Sequence, residues 1–355
     1  MSGLAMPLLL GIFVAAAVAI WIAGVQLSNQ TDVLSTRWHL GAALGGLIML
    51  AIVTNLPEIA ITVSAALSGH LDVAVGNILG GIAIQTVVLV ALDAFGVRGQ
   101  HPLTYRAASL VLVIEALLVV AVLGLVVAGS QLPDTLIWGR FAPVPAIIAV
   151  LWVVGLLLIK RASTALPWHQ NGQAPDNQDR PRGHSRHQSE QQATAAGIST
   201  ARSATVFGIS ALVTLVAGVV LERSGDAMAT HLGLSGVLFG ATILAAATAL
   251  PELSTGLTSV KKQDYQLAVS DIFGGNAFLP VLFLVASVLS GKAVLPQAQA
   301  TDIYLTALGI VLTLIYGGGL LFRPRRRIAR MGIDSLIVLV SYVIGLAGLF
   351  AIAAH

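Results

Sequence analysis

Thr54-Asn55-Leu56-Pro57-Glu58 and Thr248-Ala249-Leu250-Pro251-Glu252 each place a carboxylate directly after a proline inside a long apolar run. The two stretches lie 194 residues apart, and the match extends outward at that offset. Ala23-Gly24-Val25 falls on Ala217-Gly218-Val219, Asp32 on Asp226, Ala74-Val75 on Ala268-Val269, and Gly80-Gly81 on Gly274-Gly275. Over residues 13–87 there are 24 identities in 75 positions without a gap. Apolar composition raises chance matching, but it does not bring Pro-Glu into register twice. The chain carries an internal duplication.

Around the duplicated motifs, the composition is that of a membrane protein. Of the 355 residues, 56% are hydrophobic and 10% charged, against about 25% charged in an ordinary soluble domain. So few charges cannot cover a solvated surface, which excludes a soluble enzyme. There is no cysteine, hence no disulfide framework, thiolate metal site or Cys nucleophile. Ten apolar stretches are long enough to cross a bilayer core, which takes about 20 helical residues. They lie near 6–25, 40–66, 73–95, 107–128, 144–160, 203–221, 234–260, 265–290, 302–322 and 334–353. The first follows no Lys or Arg and is too long for a cleaved signal peptide.

The expected fold class is therefore an all-α polytopic membrane protein, with ten transmembrane helices as two inverted five-helix repeats. Five is odd, so the second half enters the membrane from the opposite side, an arrangement that puts a transporter's binding site at the midplane. The first repeat covers residues 1–160, with its motif at about 51–85. The second covers 203–355, with its motif at about 245–279. Residues 161–202 are polar without apolar periodicity and read as a disordered cytoplasmic linker. His169, His184 and His187 within it match no metal-ligand spacing.

The net charge of +3 comes from Lys and Arg in short runs between apolar stretches, which is not the pattern of a nucleic-acid surface. With the N-terminus outside, sixteen of the 19 basic residues fall in inner loops; Arg140, Arg223 and Lys292 are the three outside. Positive charge concentrates on the cytoplasmic side. Both termini are then expected outside the cytoplasm, in a bacterial-type inner (plasma) membrane. The lipid bilayer is an expected partner; the sequence leaves oligomeric state open.

Glu58 and Glu252 sit within apolar spans, where a carboxylate is costly and functional by default. Pro57 and Pro251 have no N–H and clash with the carbonyl one turn earlier, freeing carbonyls near Val53–Thr54 and Ala247–Thr248. Broken backbone at membrane depth survives where it lines a cavity or binds something. Two carboxylates plus freed carbonyls suit a hard cation, and calcium takes six to eight oxygens. Glu115 also lies mid-span, without a counterpart in kind since position 309 is Gly; a proton relay and a cavity-facing acid are both open. Asp271 and Asn276 fit either supporting groups of the site or plain interhelix hydrogen bonds. Asp93 falls near a span end, where a charge reaches the interface.

These motifs, each followed about 20 residues later by a Gly-rich stretch, resemble the two alpha repeats of the cation/calcium antiporter superfamily, sodium/calcium exchanger type. The resemblance covers essentially the whole chain. It implies alternating access, with calcium leaving the cytoplasm against sodium or protons, and no cofactor or enzymatic activity. It carries ligand roles to Thr54, Glu58, Thr248 and Glu252, and backbone-carbonyl roles in sodium binding to Ala51 and Ala245. The sequence departs from the family pattern at several places. Asn55 and Ala249 replace serines, Gly81 and Gly275 replace ligating serines, Gln85 replaces Asn, and Leu279 replaces Asn or Asp. Side-chain oxygens are lost, while the amides of Asn55 and Gln85 remain as candidate ligands.

A cation antiporter exporting calcium against protons or sodium is the function expected. A transport-deficient or differently selective homologue, and a passive cation channel, are the alternatives. A channel filter usually sits on an axis between subunits, whereas the symmetry here is internal and inverted.

Overall fold

The computed structural model describes residues 3–38, 51–107, 109–164, 182–233 and 239–353. Among the described residues the regular structure is helical apart from a two-stranded hairpin at residues 327–332. The first half comprises α1 (Met6–Arg37), α2 (Leu56–Ser68), α3 (Leu71–Ala91), α4 (Leu110–Ser130) and α5 (Pro143–Thr164). A polar helix, α6 (His184–Ala195), precedes the second half. That half comprises α7 (Thr200–Leu232), α8 (Leu250–Lys261), α9 (Tyr265–Phe278), α10 (Leu282–Ser290), α11 (Ala300–Phe322) and α12 (Ile333–Ala353).

Eight helices among the described residues are long and apolar enough to cross a membrane, and nine if the bent pair Thr242–Thr248 and Leu250–Lys261 counts as one span. The protein is an integral membrane protein. Of the ten expected spans, the start of the second (40–50) and of the seventh (234–238) lie outside the described residues. The duplication is legible in the helix boundaries. Shifted by 194 residues, Met6, Leu56 and Leu71 fall on Thr200, Leu250 and Tyr265, which open α7, α8 and α9. The first and sixth spans run on to Arg37 and Leu232, well past the expected 25 and 221. Their last turns are polar, so hydropathy ends before the helix does.

Long α1 and α7 pack along each other, and each crosses the broken segment of the other half. A Cβ added at Gly24 of α1 would meet Pro251 Cβ at 2.9 Å, and one at Gly218 of α7 would meet the Pro57 carbonyl oxygen at 3.2 Å. The same glycine, duplicated, lets each helix approach the opposite proline. Site-bearing α3 and the α9–α10 segment are mostly buried, while α1, α5, α7 and α12 present more of their surface outward.

Two expectations fail here. The described part of the linker is not disordered: His184–Ala195 is helical, and Ser185, Arg186 and Ala193 are buried. The segment has no apolar face, but it docks through polar groups onto acids of other helices, which hydropathy does not register. Residues 165–181, with His169, lie outside the described residues. Asp93 does not reach an interface either. It is buried, accepting from Leu103 N at 2.9 Å, Gly332 N at 2.6 Å and the Ser335 hydroxyl at 2.8 Å. Together these tie the end of the first-half helix α3 to the hairpin before α12.

Candidate cation-binding site

Each proline motif breaks its span where the sequence places it. Residues 51–54 are helical, Asn55 turns at φ −89° and ψ 17°, and α2 begins at Leu56 with Pro57 in its first turn. In the second half Ala249 turns at φ −78° and ψ 2°, and α8 begins at Leu250, bent by 44° from the helical segment before it. Glu58 and Glu252 therefore sit in the first turn of a new helix, where unpaired N–H groups and the helix dipole favour negative charge. Both side chains are fully buried or nearly so.

The two breaks come together in the fold. Glu58 lies against Thr248 and Gln85, and Glu252 lies against Thr54 and close enough to Glu58 for their charges to interact. Each carboxylate thus meets the threonine of the other half. Among the described residues no basic side chain forms an ion pair with either. Both oxygens of Glu58, Oε2 of Glu252 and Oε1 of Gln85 are buried and accept no hydrogen bond of ordinary length and angle, with Thr248 and Gln85 close to Glu58. These four oxygens come from two halves of the chain and three helices, and orphaned buried acceptors of this kind suit a cation.

The amides identified from sequence form one unit. Gln85 Nε2 donates to Asn55 Oδ1 at 3.0 Å and to Glu252 Oε1 at 3.4 Å, and Asn55 Nδ2 donates to the Ala51 carbonyl at 2.7 Å. Glycine makes the room: a Cβ at Gly275 would lie 2.9 Å from Asn55 Nδ2 and 3.4 Å from Gln85 Oε1. The pseudo-symmetric place differs. There a Cβ at Gly81 would meet Leu279 Cδ1 at 3.5 Å. The space beside Gly275 is thus filled by amides and the space beside Gly81 by a leucine. Ala51 and Ala245 carbonyls are near, and both are engaged: Ala245 accepts from Thr248 Oγ1 at 3.1 Å and Ala249 N at 3.0 Å.

The remaining candidates separate. Asn276 donates to Thr86 at 3.0 Å, an interhelix hydrogen bond. Asp271 accepts from Thr255 at 2.9 Å and lies within electrostatic range of Glu252. Glu115 is buried and paired at 2.8 Å with Arg182 of the linker, which also donates to Ser270. The reach of Arg182 into the bundle is invisible in the sequence, because nothing local marks its partner.

The chain matches the model of the sodium/calcium exchanger protein family over residues 8–161 and 202–351. It belongs to that family. The unmatched stretch between the two, 162–201, falls within the linker. The inner membrane protein YrbG of Escherichia coli is 28% identical over 258 residues, 72% of each chain. CaxA of Alkalimonas amylolytica is 26% identical over 304 residues, 84% of this chain and 85% of that one. Among solved structures, the sodium-calcium exchanger NCX_Mj soaked with sodium and strontium shares the fold. Its TM-score is 0.61 and its identity 17%, covering 97% of this chain and 99% of that one. As a member of the sodium/calcium exchanger family the protein is a cation-exchange transporter rather than an enzyme, and the family implies calcium and a monovalent cation as substrates.

Proposed function

We propose that the protein is a secondary active antiporter that exports calcium from the cytoplasm by alternating access, with protons as counter-ion. In this reading it has ten crossings in two inverted five-helix repeats. Glu58 and Glu252 are the shared ligand pair, assisted by Thr54, Thr248, Asn55, Gln85 and the carbonyls of Ala51 and Ala245. One observation carries the reading: two buried carboxylates lie together at helix breaks, with no basic partner among the described residues. A dication neutralises that pair, and so do two protons. Either occupant lets the pair reside in a low-dielectric interior, whereas the bare pair does not, so the two ions exclude each other and their fluxes are coupled.

Sodium is the second reading, and the amide pair favours it. Gln85 Oε1 is an unbonded oxygen beside the carboxylates. Against it, Leu279 and Gly275 supply no side-chain oxygen, and a bound sodium needs several oxygen ligands whereas a proton needs one.

Calcium-loaded proteoliposomes separate the readings. An inward proton gradient in sodium-free medium is expected to drive calcium out. Efflux driven only by an inward sodium gradient, and indifferent to pH, would replace protons by sodium. Efflux that runs down calcium's own gradient without moving either counter-ion would mark a passive channel.

A further inference from the structure

The linker helix and the residues just before it reach acids of the helical bundle. Arg182 pairs with Glu115 Oε1 at 2.8 Å and donates to Ser270. One turn on, Arg186 lies 3.6 Å from Asp32 of α1 and within electrostatic range of Asp271. Arg186 is 5% exposed; burial pushes its guanidinium down from its ordinary value, and Asp32 pulls it back. The helix is fastened on both flanks. Ser189 donates to Asp32 at 3.2 Å, Ser185 donates to Asp264 at 3.0 Å, and Lys262 donates to Ser189 at 2.9 Å.

The acids beneath lead to the carboxylate pair. Glu115 borders a small cavity that Ala51 also lines, and Asp271 lies within range of Glu252. Glu115 Oε2 and Asp271 Oδ1 are buried with no hydrogen-bond partner. The duplication supplies a control. Asp226, the counterpart of Asp32 on the other side, is exposed. The same acid is solvated at one mouth and covered by an arginine at the other.

We propose that Asp32, Glu115, Ser270 and Asp271 form a second cation site at the linker-side mouth, serving divalent cations on their way to Glu58 and Glu252, and that Arg182 and Arg186 occupy it as built-in cationic stand-ins. The proposal rests on the cation-antiport reading. A cation arriving from the linker side competes with the two guanidiniums, so the linker sets the concentration at which that mouth opens. Because Arg186 and Ser189 hold α1 while Ser185 and Arg182 hold the α8–α9 side, the same contacts brace the long α1 against the site-bearing helices.

The chain has no cysteine, so Ser270→Cys is a single reporter thiol in the full chain. Reacted from the linker side with a membrane-impermeant maleimide, it is expected to label about tenfold faster with Arg182→Gln and Arg186→Gln than with both arginines, the size of effect of one lost charge-assisted contact. Calcium is expected to slow labelling in the double-Gln background. Arg182→Lys with Arg186→Lys keeps both charges and is expected to label as slowly as the arginine parent, which separates loss of the cations from loss of the fold. In transport, the double-Gln chain is expected to half-saturate at lower calcium when the ion is presented on the linker side, and unchanged on the other. Equal labelling in the Arg and Gln backgrounds, or fast labelling indifferent to calcium, would overturn the site. If no version moves calcium while labelling behaves as expected, the antiport reading fails and the site stands.

Discussion

Gln85 donates to Oε1 of Glu252 at 3.4 Å, joining a first-half amide to a second-half carboxylate. Its other bond, to Asn55 at 3.0 Å, fixes the rotamer, and Gly275 leaves the space both amides fill. The duplication is thus symmetric in its carboxylates and asymmetric in what surrounds them. That asymmetry separates this chain from a site with serines on both flanks. It also identifies which substitutions are informative.

Glu58→Gln and Glu252→Gln are each expected to abolish calcium exchange while leaving the protein folded and in the membrane. Each keeps side-chain size and removes one of two negative charges that balance the dication. Flux per molecule, with detergent-extracted size-exclusion profiles as the folding check, measures this. Near-normal flux in either variant refutes the site.

Gln85→Leu would place leucine beside both Gly81 and Gly275 and leave Asn55 Oδ1 without its donor. Losing a buried hydrogen bond and its partner's satisfaction costs about 1–3 kcal/mol. Calcium affinity is expected to fall by about tenfold or more, with expression retained. Titration of calcium binding to the purified protein reads the shift.

Gly275→Ser restores the residue type of the family pattern but puts a Cβ 2.9 Å from Asn55 Nδ2. Alone it is expected to lower thermal stability, by an overpacking cost of about 1–3 kcal/mol. Combined with Asn55→Ser, which removes the obstructing amide, much of the loss is expected to return. Melting curves of the two single variants and the double form a cycle whose coupling checks the contact.

Gly24→Val and Gly218→Val test the crossings of α1 and α7 over Pro251 and Pro57. Both positions leave no room for a side chain. Each variant is expected to be destabilised and slowed in transport, because these helices pass directly over the breaks that hold the carboxylates. Matched effects at the two sites would reflect the duplication; a tolerated valine at either would mean the approach is not tight.

Much of this was legible from the sequence, since span-length apolar runs, proline breaks and a repeated Pro-Glu are local signals. The first residues of α2 and α8 follow from Pro57 and Pro251, which fix a helix start. The ends of α1 and α7 do not, because their last turns bear Asp32 and Asp226 and read as loop. The linker helix escapes the sequence for a related reason. Its segment docks through Arg182, Arg186 and Ser185 on Glu115, Asp32 and Asp264, partners 67 to 154 residues away in the chain, and hydropathy carries no record of such pairing. The amide cluster falls between: Asn55 and Gln85 stand out individually as polar residues in apolar spans, but their contact through the space above Gly275 exists only in the fold.

The central claim is that one pair of carboxylates holds either a dication or two protons. Proton release on calcium binding tests it most directly. Calcium added to purified protein in weakly buffered solution, across a series from acid to neutral pH, is expected to release protons in wild type, with apparent affinity falling as pH falls. Glu58→Gln and Glu252→Gln are expected to release none. Calcium binding to the wild type with no proton release and no dependence on pH would contradict the account.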